Sequence, residues 1–558
     1  IPYRFLHDRV QQAAYFLIPD AQKQSTHLKI GRLLSSNIPE EAREDRIFDI
    51  VNQLNIGIAL IEDRSERDEL AQFNLIAGQK AKASTAYTAA ADYLAKGRQL
   101  LPENSWESHY PLTLDLYSEA AESAYLNGDF EQTEILTQSL LENAKTLLDS
   151  TKAYEVQIQA YQAQNQLLTA VNIAVRIVNL LGITIPENPT PANIQTQLEE
   201  TKARVGDRPN RLVNLPSMSD PVALAAMRIL SNVVPAVHQA APHLYPFVAC
   251  QMVNLSVQYG NTAESTFGYA IYGVTQLVVL GDIAASYAFG QIGLQVLEKL
   301  HVQTMRSRTV FVFCFLLGHW QEPLKNALTP LQVAYQSGLE TGDIDHAAYS
   351  IYLYDVNSYF MGKELSELAA EMVLHRDAIA RLQQQHILQW HEIYRQTVLN
   401  WLGNSQHSCQ LVGEAFDETL QLPILSDAED RTALLRIYLS KAMLSYCFQD
   451  LQKAHNSIER AGEYLQAATG QYEVPLFHFY DSLISLAIES EQSGERSEKP
   501  TDELTGRLSE NQEKMRKWSE LSPQNHLHKY YLVEAEWKRA RGKAVEVMEL
   551  YDRAIASA

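Results

Sequence analysis

GNTAESTFGYAIYGVTQLVVLGD, residues 260–282, reads as one helix-length apolar run opened by Gly260-Asn261 and closed by Gly281-Asp282. Glycine takes the left-handed backbone that stops a helix, and the Asn or Asp after it can cap the next one. Gly342-Asp343 and Gly128-Asp129 repeat the device, and Gly362 ends a further run, so the steps recur about every twenty residues. Two such helices make a unit of about 40 residues, in the tetratricopeptide to HEAT range. A unit of that kind buries its apolar face only against its neighbours, which yields an extended surface and favours binding over chemistry. The fold expected is all-α: a tetratricopeptide-like α-solenoid of antiparallel helix pairs.

Working outward, residues 1–62 open with a short alternating segment, Tyr3-Arg4-Phe5-Leu6, then a helix capped by Asp8 with Gln11 completing a capping-box pattern. Helices are predicted over about 21–35 and 41–61, the second with Ile47, Ile50, Val51, Leu54 and Ile58 on one face. Residues 63–185 form a first array. It holds an alanine-rich hairpin about Ser84-Thr85-Ala86, a tetratricopeptide-like hairpin about Asn127-Gly128-Asp129-Phe130, and a third pair ending at Gly182. Residues 186–221 carry Pro186, Pro189, Pro191, Pro209, Pro216 and Pro221 and read as a connection with one helix over 192–204. Residues 222–488 form a second array, 489–505 a mobile acidic linker, and 506–558 the last helices. No strand pair is expected after residue 10.

The chain has 558 residues with 67 acidic and 46 basic side chains, a net charge of −21. Phosphate backbones are bound by Lys and Arg, so nucleic acid is not an expected partner. The richest basic stretch, Trp537-Lys538-Arg539 with Arg541 and Lys543, reads as the solvated face of a helix. The four cysteines, Cys250, Cys314, Cys409 and Cys447, sit in apolar helical contexts without CxxC spacing and read as buried thiols of a reduced, cytoplasmic compartment. The longest uninterrupted apolar run, Val310 to Leu317, is far below the roughly 20 residues that span a bilayer, so no membrane insertion is expected.

Phosphate-loop, dinucleotide, zinc-protease and serine-hydrolase motifs are absent from the sequence. His375-Arg376-Asp377 spells a kinase catalytic triplet, but Ile379 and Leu382 replace the Lys and Asn that such a loop needs. His391-Glu392 lacks a second His, because residue 395 is Arg395. No catalytic residue, metal ligand or cofactor is therefore expected. The aromatic run from Tyr349 to Phe360 leaves two readings open. Tyr349, Tyr352, Asp355 and Tyr359 recur at helical spacing, and that stripe either lines a peptide or ligand groove or packs between helices. Trp320, Trp390 and Trp401 read first as core.

The segment Phe5-Leu6-His7-Asp8-Arg9-Val10-Gln11-Gln12-Ala13-Ala14-Tyr15 resembles the end of the winged-helix domain in STAND-type signalling ATPases. Specifically, it is similar to large bacterial multi-sensor kinases that join a Ser/Thr-kinase-like domain, a STAND ATPase, a long tetratricopeptide-like region, a GAF domain and a sensor histidine kinase. Three stretches downstream agree: Phe48 to Asn55, Ala77 to Tyr87 and Ala124 to Glu131. The resemblance is specific over about residues 1–185 and looser beyond. It implies that the chain, which starts at Ile1-Pro2 without a methionine, is the middle of a longer polypeptide, with a winged-helix remnant at its amino end. It also implies that His7, supported by Asp8, senses nucleotide in the full ATPase.

The function expected is that of a non-enzymatic regulatory and scaffolding region. It would contact its own ATPase and kinase domains and other proteins or peptides, and so couple ATPase to kinase output. The alternative is a sensor holding a small-molecule inducer inside the array.

Overall fold

The computed structural model describes residues 15, 19–493, 502–541 and 544–558. The opening strand and helix, the winged-helix remnant, His7 and Asp8 lie outside the described residues. The chain divides into two compact units, Ile1–Thr190 with Asp220–Val248, and Pro191–Ser219 with Ala249–Ala558. The fold is all-α, and within each unit neighbouring helices pair into hairpins that pack on one another. Among the described residues the only β pairing is two isolated bridges, Ser217 with Asn261 and Val412 with Asp417.

The first unit runs through α1 (Asp20–Asn37), α2 (Ile47–Ile56), α3 (Arg64–Ala83), α4 (Tyr87–Leu100), α5 (Tyr110–Leu126), α6 (Phe130–Asn143), α7 (Leu147–Ala163) and α8 (Leu167–Leu180). Each of the pairs α3/α4, α5/α6 and α7/α8 packs as a hairpin, and each hairpin packs on the next. Buried leucines at 70, 94, 100, 116, 136 and 140 run through one continuous core. The predicted 41–61 helix is broken instead: Arg46 leaves helical geometry (φ −109°, ψ 21°) before α2, and Gly57 ends it. Ile47, Ile50, Val51 and Leu54 are nonetheless buried as that face requires.

The proline-rich stretch holds the helix expected over 192–204, and three of its prolines open helical segments instead of interrupting them. Pro191 opens α9 (Pro191–Val205), which belongs to the second unit, and Pro209 opens a short 3-10 segment. Pro221 opens α10 (Pro221–Ala240), and Asp220 caps it by accepting from the Ala223 N–H at 2.8 Å. Proline suits the first helical turn because its missing N–H would be unpaired there anyway. Helix α10 is also rich in apolar residues. It is long and apolar enough by composition to cross a bilayer, although Ser, Asn and Arg228 interrupt its apolar run. Most of that window is buried in the first unit against α7 and α8, and Arg228 pairs with buried Glu155 at 2.8 Å.

The second unit continues from Ala249 within α11 (Tyr245–Tyr259) to α12 (Ala263–Leu280), α13 (Ile283–Lys299) and α14 (Arg306–Val312). Beyond irregular turns follow α15 (Leu328–Thr341), α16 (Ile344–Phe360), α17 (Leu365–Arg381), α18 (Gln385–Trp401), α19 (Glu418–Asp427), α20 (Arg431–Cys447), α21 (Leu451–Tyr464) and α22 (Glu473–Ser493). Helices α23 (Asp502–Leu521), α24 (Pro523–Ala540) and α25 (Ala544–Ser557) complete it. Helices α22 and α23 reach into the expected 489–505 linker from both sides, and residues 494–501 lie outside the described set.

The turns obey the glycine rule in part. Gly281 is left-handed (φ 66°), and Asp282 caps α13 by accepting from the Ala285 N–H at 2.9 Å; Asp129 caps α6 in the same way. Asp343 and Asn261 do not cap. The Asp343 carboxylate is taken by Arg308 at 3.0 Å and His346 at 2.9 Å. Asn261 is buried, donating to the Leu212 carbonyl at 2.7 Å and accepting from the Tyr269 hydroxyl at 2.8 Å, so it ties the 212–218 segment to α12. Thr262 caps α12 in its place, with a Ser265 capping box.

Candidate functional site

Helix α16 presents the predicted stripe, and the second unit encloses it. Tyr349 stacks on Phe311, with ring centroids 5.0 Å apart, and lies 6.1 Å from Trp390. Tyr352 is buried between Trp390 at 6.2 Å and Tyr394 at 6.4 Å. Asp355 is fully buried, and Tyr359 accepts a hydrogen bond from the Trp401 indole at 2.8 Å. The four side chains lie along α16, where α14, α18 and α20 engage them in packing between helices. Trp320 is buried, while Trp390 and Trp401 are half-buried.

Asp355 gathers the two histidines that sequence motifs had drawn attention to for other reasons. His375 Nδ1 sits 2.8 Å from one carboxylate oxygen and His391 Nε2 2.8 Å from the other. His391 also has Glu392 at 3.3 Å on its Nδ1, and Glu392 and Glu414 both bind Arg395. Burial alone would raise the Asp355 carboxyl, but hydrogen bonds from His375 and His391 outweigh it and hold the group below its ordinary range. Burial likewise works against charge on His391, yet the bonds to Asp355 and Glu392 raise its pKa. Both carboxylates thus favour the imidazolium form of His391 over the neutral ring. Two histidines and an aspartate share this point, but among the described residues no group of three or more His, Cys, Asp or Glu is arranged to hold a metal.

A second buried charge sits beside the first. The Arg436 side chain is fully buried, its guanidinium 4.0 Å from the Trp390 ring and 5.4 Å from Tyr352. It donates to Glu473 at 3.3 Å and to Gln471 at 3.2 Å, while Nη1 has no partner. Glu473 also accepts from the Tyr394 hydroxyl at 2.9 Å. Asp430 caps α20 and takes the Trp390 N–H at 3.2 Å. Chemically, the cluster locks α16, α17, α18, α20 and α22 together through fixed charges and aromatic faces. Arg436 and Glu473 escaped the sequence reading, although Arg436 inside Ala433-Leu434-Leu435-Arg436-Ile437 carried the available signal: a charge at a core position demands a buried partner.

The cysteines divide. Cys250 and Cys314 are buried, with burial pushing the Cys250 thiol up to about 12, whereas Cys409 is half-buried and Cys447 exposed. The expectation of four buried thiols is corrected at both, because each lies at or beyond a helix end, where the apolar context of the sequence no longer implies burial.

No family model matches the chain. The hybrid signal transduction histidine kinase G of Dictyostelium discoideum is 24% identical over 414 residues, which cover 66% of this chain and 12% of that protein. The chain thus spans a small part of the curated relative it matches. The crystal structure of yeast Tom70 aligns over 97% of this chain and 93% of its own at 11% identity, with a TM-score of 0.29. So loose a superposition carries no argument. This all-α chain thus has a relative among signalling proteins.

Proposed function

We propose that this chain is the non-enzymatic regulatory and scaffolding region of a signalling multi-kinase, and that it joins a STAND-type ATPase to kinase output by direct contact with both. The observation that carries the reading is the similarity to a hybrid signal transduction histidine kinase over 66% of this chain and only 12% of that protein, which leaves catalysis to other parts of such a polypeptide. The local structure fits. The buried ionic side chains at Asp355 and Arg436 tie helix to helix, as a rigid lever requires. Binding energy at one end of such an array favours one arrangement of whatever is attached to it. On this reading the polypeptide is bacterial and cytoplasmic, the fragment needs no cofactor, and His7 with Asp8 serves the neighbouring ATPase.

The test is reconstitution. This chain, mixed with separately produced ATPase and kinase domains of the same polypeptide, is expected to co-elute with them and to change the rate of autophosphorylation. Absence of association together with an unchanged rate overturns the proposal.

A further inference from the structure

After α14 the backbone stops being an ordinary α-helix. Phe313–Leu317 winds as a π-helix, and Gly318–Trp320 then tightens to 3-10 geometry. A π turn inside a helix marks a place where packing regularity has been given up, often at a site of function. A cavity of about 120 Å³ lies against it, with Leu294 of α13, Val310 of α14, and Phe313 and Cys314 of the π turn forming an apolar wall.

One carboxylate stands on that wall. Glu322 Oε1 accepts from the Tyr287 hydroxyl at 2.6 Å and from the Gln291 amide at 2.9 Å. Burial, followed by the bond to Glu322, pushes the Tyr287 hydroxyl up to about 12, so it remains a donor. Its other oxygen, Oε2, has no partner, and no Lys or Arg side chain pairs with Glu322 among the described residues. Three other half-buried or buried carboxylates do have one: Glu155 has Arg228, Glu122 has Lys152 and Asp343 has Arg308. A second polar group on the cavity is also incomplete. His319 is buried, with Nε2 2.9 Å from the Gly470 carbonyl and Nδ1 without a partner.

We propose that this cavity binds a small organic cation, a protonated amine on a compact apolar body, with the ammonium on Glu322 Oε2 and the body against Leu294, Val310, Phe313 and Cys314. An anchored carboxylate missing its counter-charge selects for a cation, and the apolar wall selects for a hydrocarbon body. The size follows from volume: an apolar cavity of about 150 Å³ accepts benzene, so this one encloses about five non-hydrogen atoms, the size of a cyclopentyl body. The overall charge of −21 adds a general attraction for cations. The site lies within the second unit and is independent of the scaffolding role, so either stands if the other falls.

Cyclopentylammonium and cyclopentanol, matched in shape and differing in charge, make the test by calorimetric titration of the whole chain near neutral pH. The ammonium is expected to bind at one saturable site about tenfold or more tighter than the alcohol. Glu322→Gln is expected to bring the two within about twofold of each other, while Glu322→Asp keeps the preference for the cation. Leu294→Trp, which fills the cavity from α13, is expected to abolish binding with the thermal melt retained. Equal affinities for the two probes overturn the proposal, as do binding that survives Leu294→Trp and an absence of saturable heat up to about 10 mM probe, a Kd range weaker than any useful site.

Discussion

Asp355 is the buried carboxylate that holds His375 and His391 together. Removing it leaves His391 buried with only Glu392 beside it, and breaking one side of a buried pair costs about 3–5 kcal/mol. Asp355→Asn is expected to lower unfolding stability by about that amount, measured by denaturant titration. The pH dependence has a definite sign. The Asp355 carboxyl is held low in the fold, so its contribution is complete above about pH 4 and is lost as pH falls through the folded value. The His391 imidazole is held high, so its contribution is complete below about pH 6.5 and is lost as pH rises through its folded value. The pair is therefore worth most between those limits, and Asp355→Asn is expected to flatten both limbs. A variant with the parent's pH profile would dispose of this account. Glycines provide the contrasting case of backbone instead of charge. An alanine Cβ at Gly281 meets nothing within 4 Å, so Gly281→Ala costs only the left-handed backbone, about 1 kcal/mol. At Gly260 the same Cβ falls 2.3 Å from the Pro216 carbonyl oxygen, beside the bond that Asn261 makes to that segment. Gly260→Ala is expected to cost at least about 2 kcal/mol more than Gly281→Ala in the same unfolding assay.

At the scale of elements, the glycine ladder turns out to be half of a larger one. Thr85, Asn165, His301, Gln383, Glu429 and Gln449 are left-handed as well, with φ between 52° and 64°, and several of them sit in the same short turns between paired helices that glycines occupy elsewhere. The backbone need is set by the hairpin, and composition meets it only where strain must be avoided. Thr85 joins α3 to α4, is β-branched and exposed, and pays most for this conformation. Thr85→Gly is expected to raise the melting temperature, by the equivalent of about 0.5–1 kcal/mol, since relief of strain exceeds the extra chain entropy. A lower melting temperature would mean that the threonine side chain holds the turn. Helix existence was legible from periodicity, and the α3/α4 break fell at Ser84-Thr85-Ala86 as read. The break in the 41–61 helix, the prolines that open helices and the π turn after α14 were not legible. Each is settled by what packs there and not by the local run of residue types.

For the whole molecule, charge is the property with the broadest consequence. The net charge is −21, and within the richest basic stretch Arg539 pairs with Glu536 at 2.6 Å and Lys538 with Glu546. Duplex DNA of random sequence is expected to show no binding by fluorescence anisotropy at about 0.15 M salt, because too few free cations remain to displace its counterions. Saturable binding under those conditions would reveal a basic surface that this pairing does not account for. By itself the sequence determined the all-α class, the hairpin rhythm, some of the caps and the apolar faces, because those depend on interactions within one or two helical turns. Only the tertiary structure decided what the buried charges do. His391 finds Asp355 across 36 residues and Arg436 finds Glu473 across 37, and the cavity beside the π turn takes its lining from residues spread along the chain between Gln291 and Pro330. Such partners are set by how helices stack, and a stack satisfies each buried charge through distance in space, which spacing along the chain does not encode.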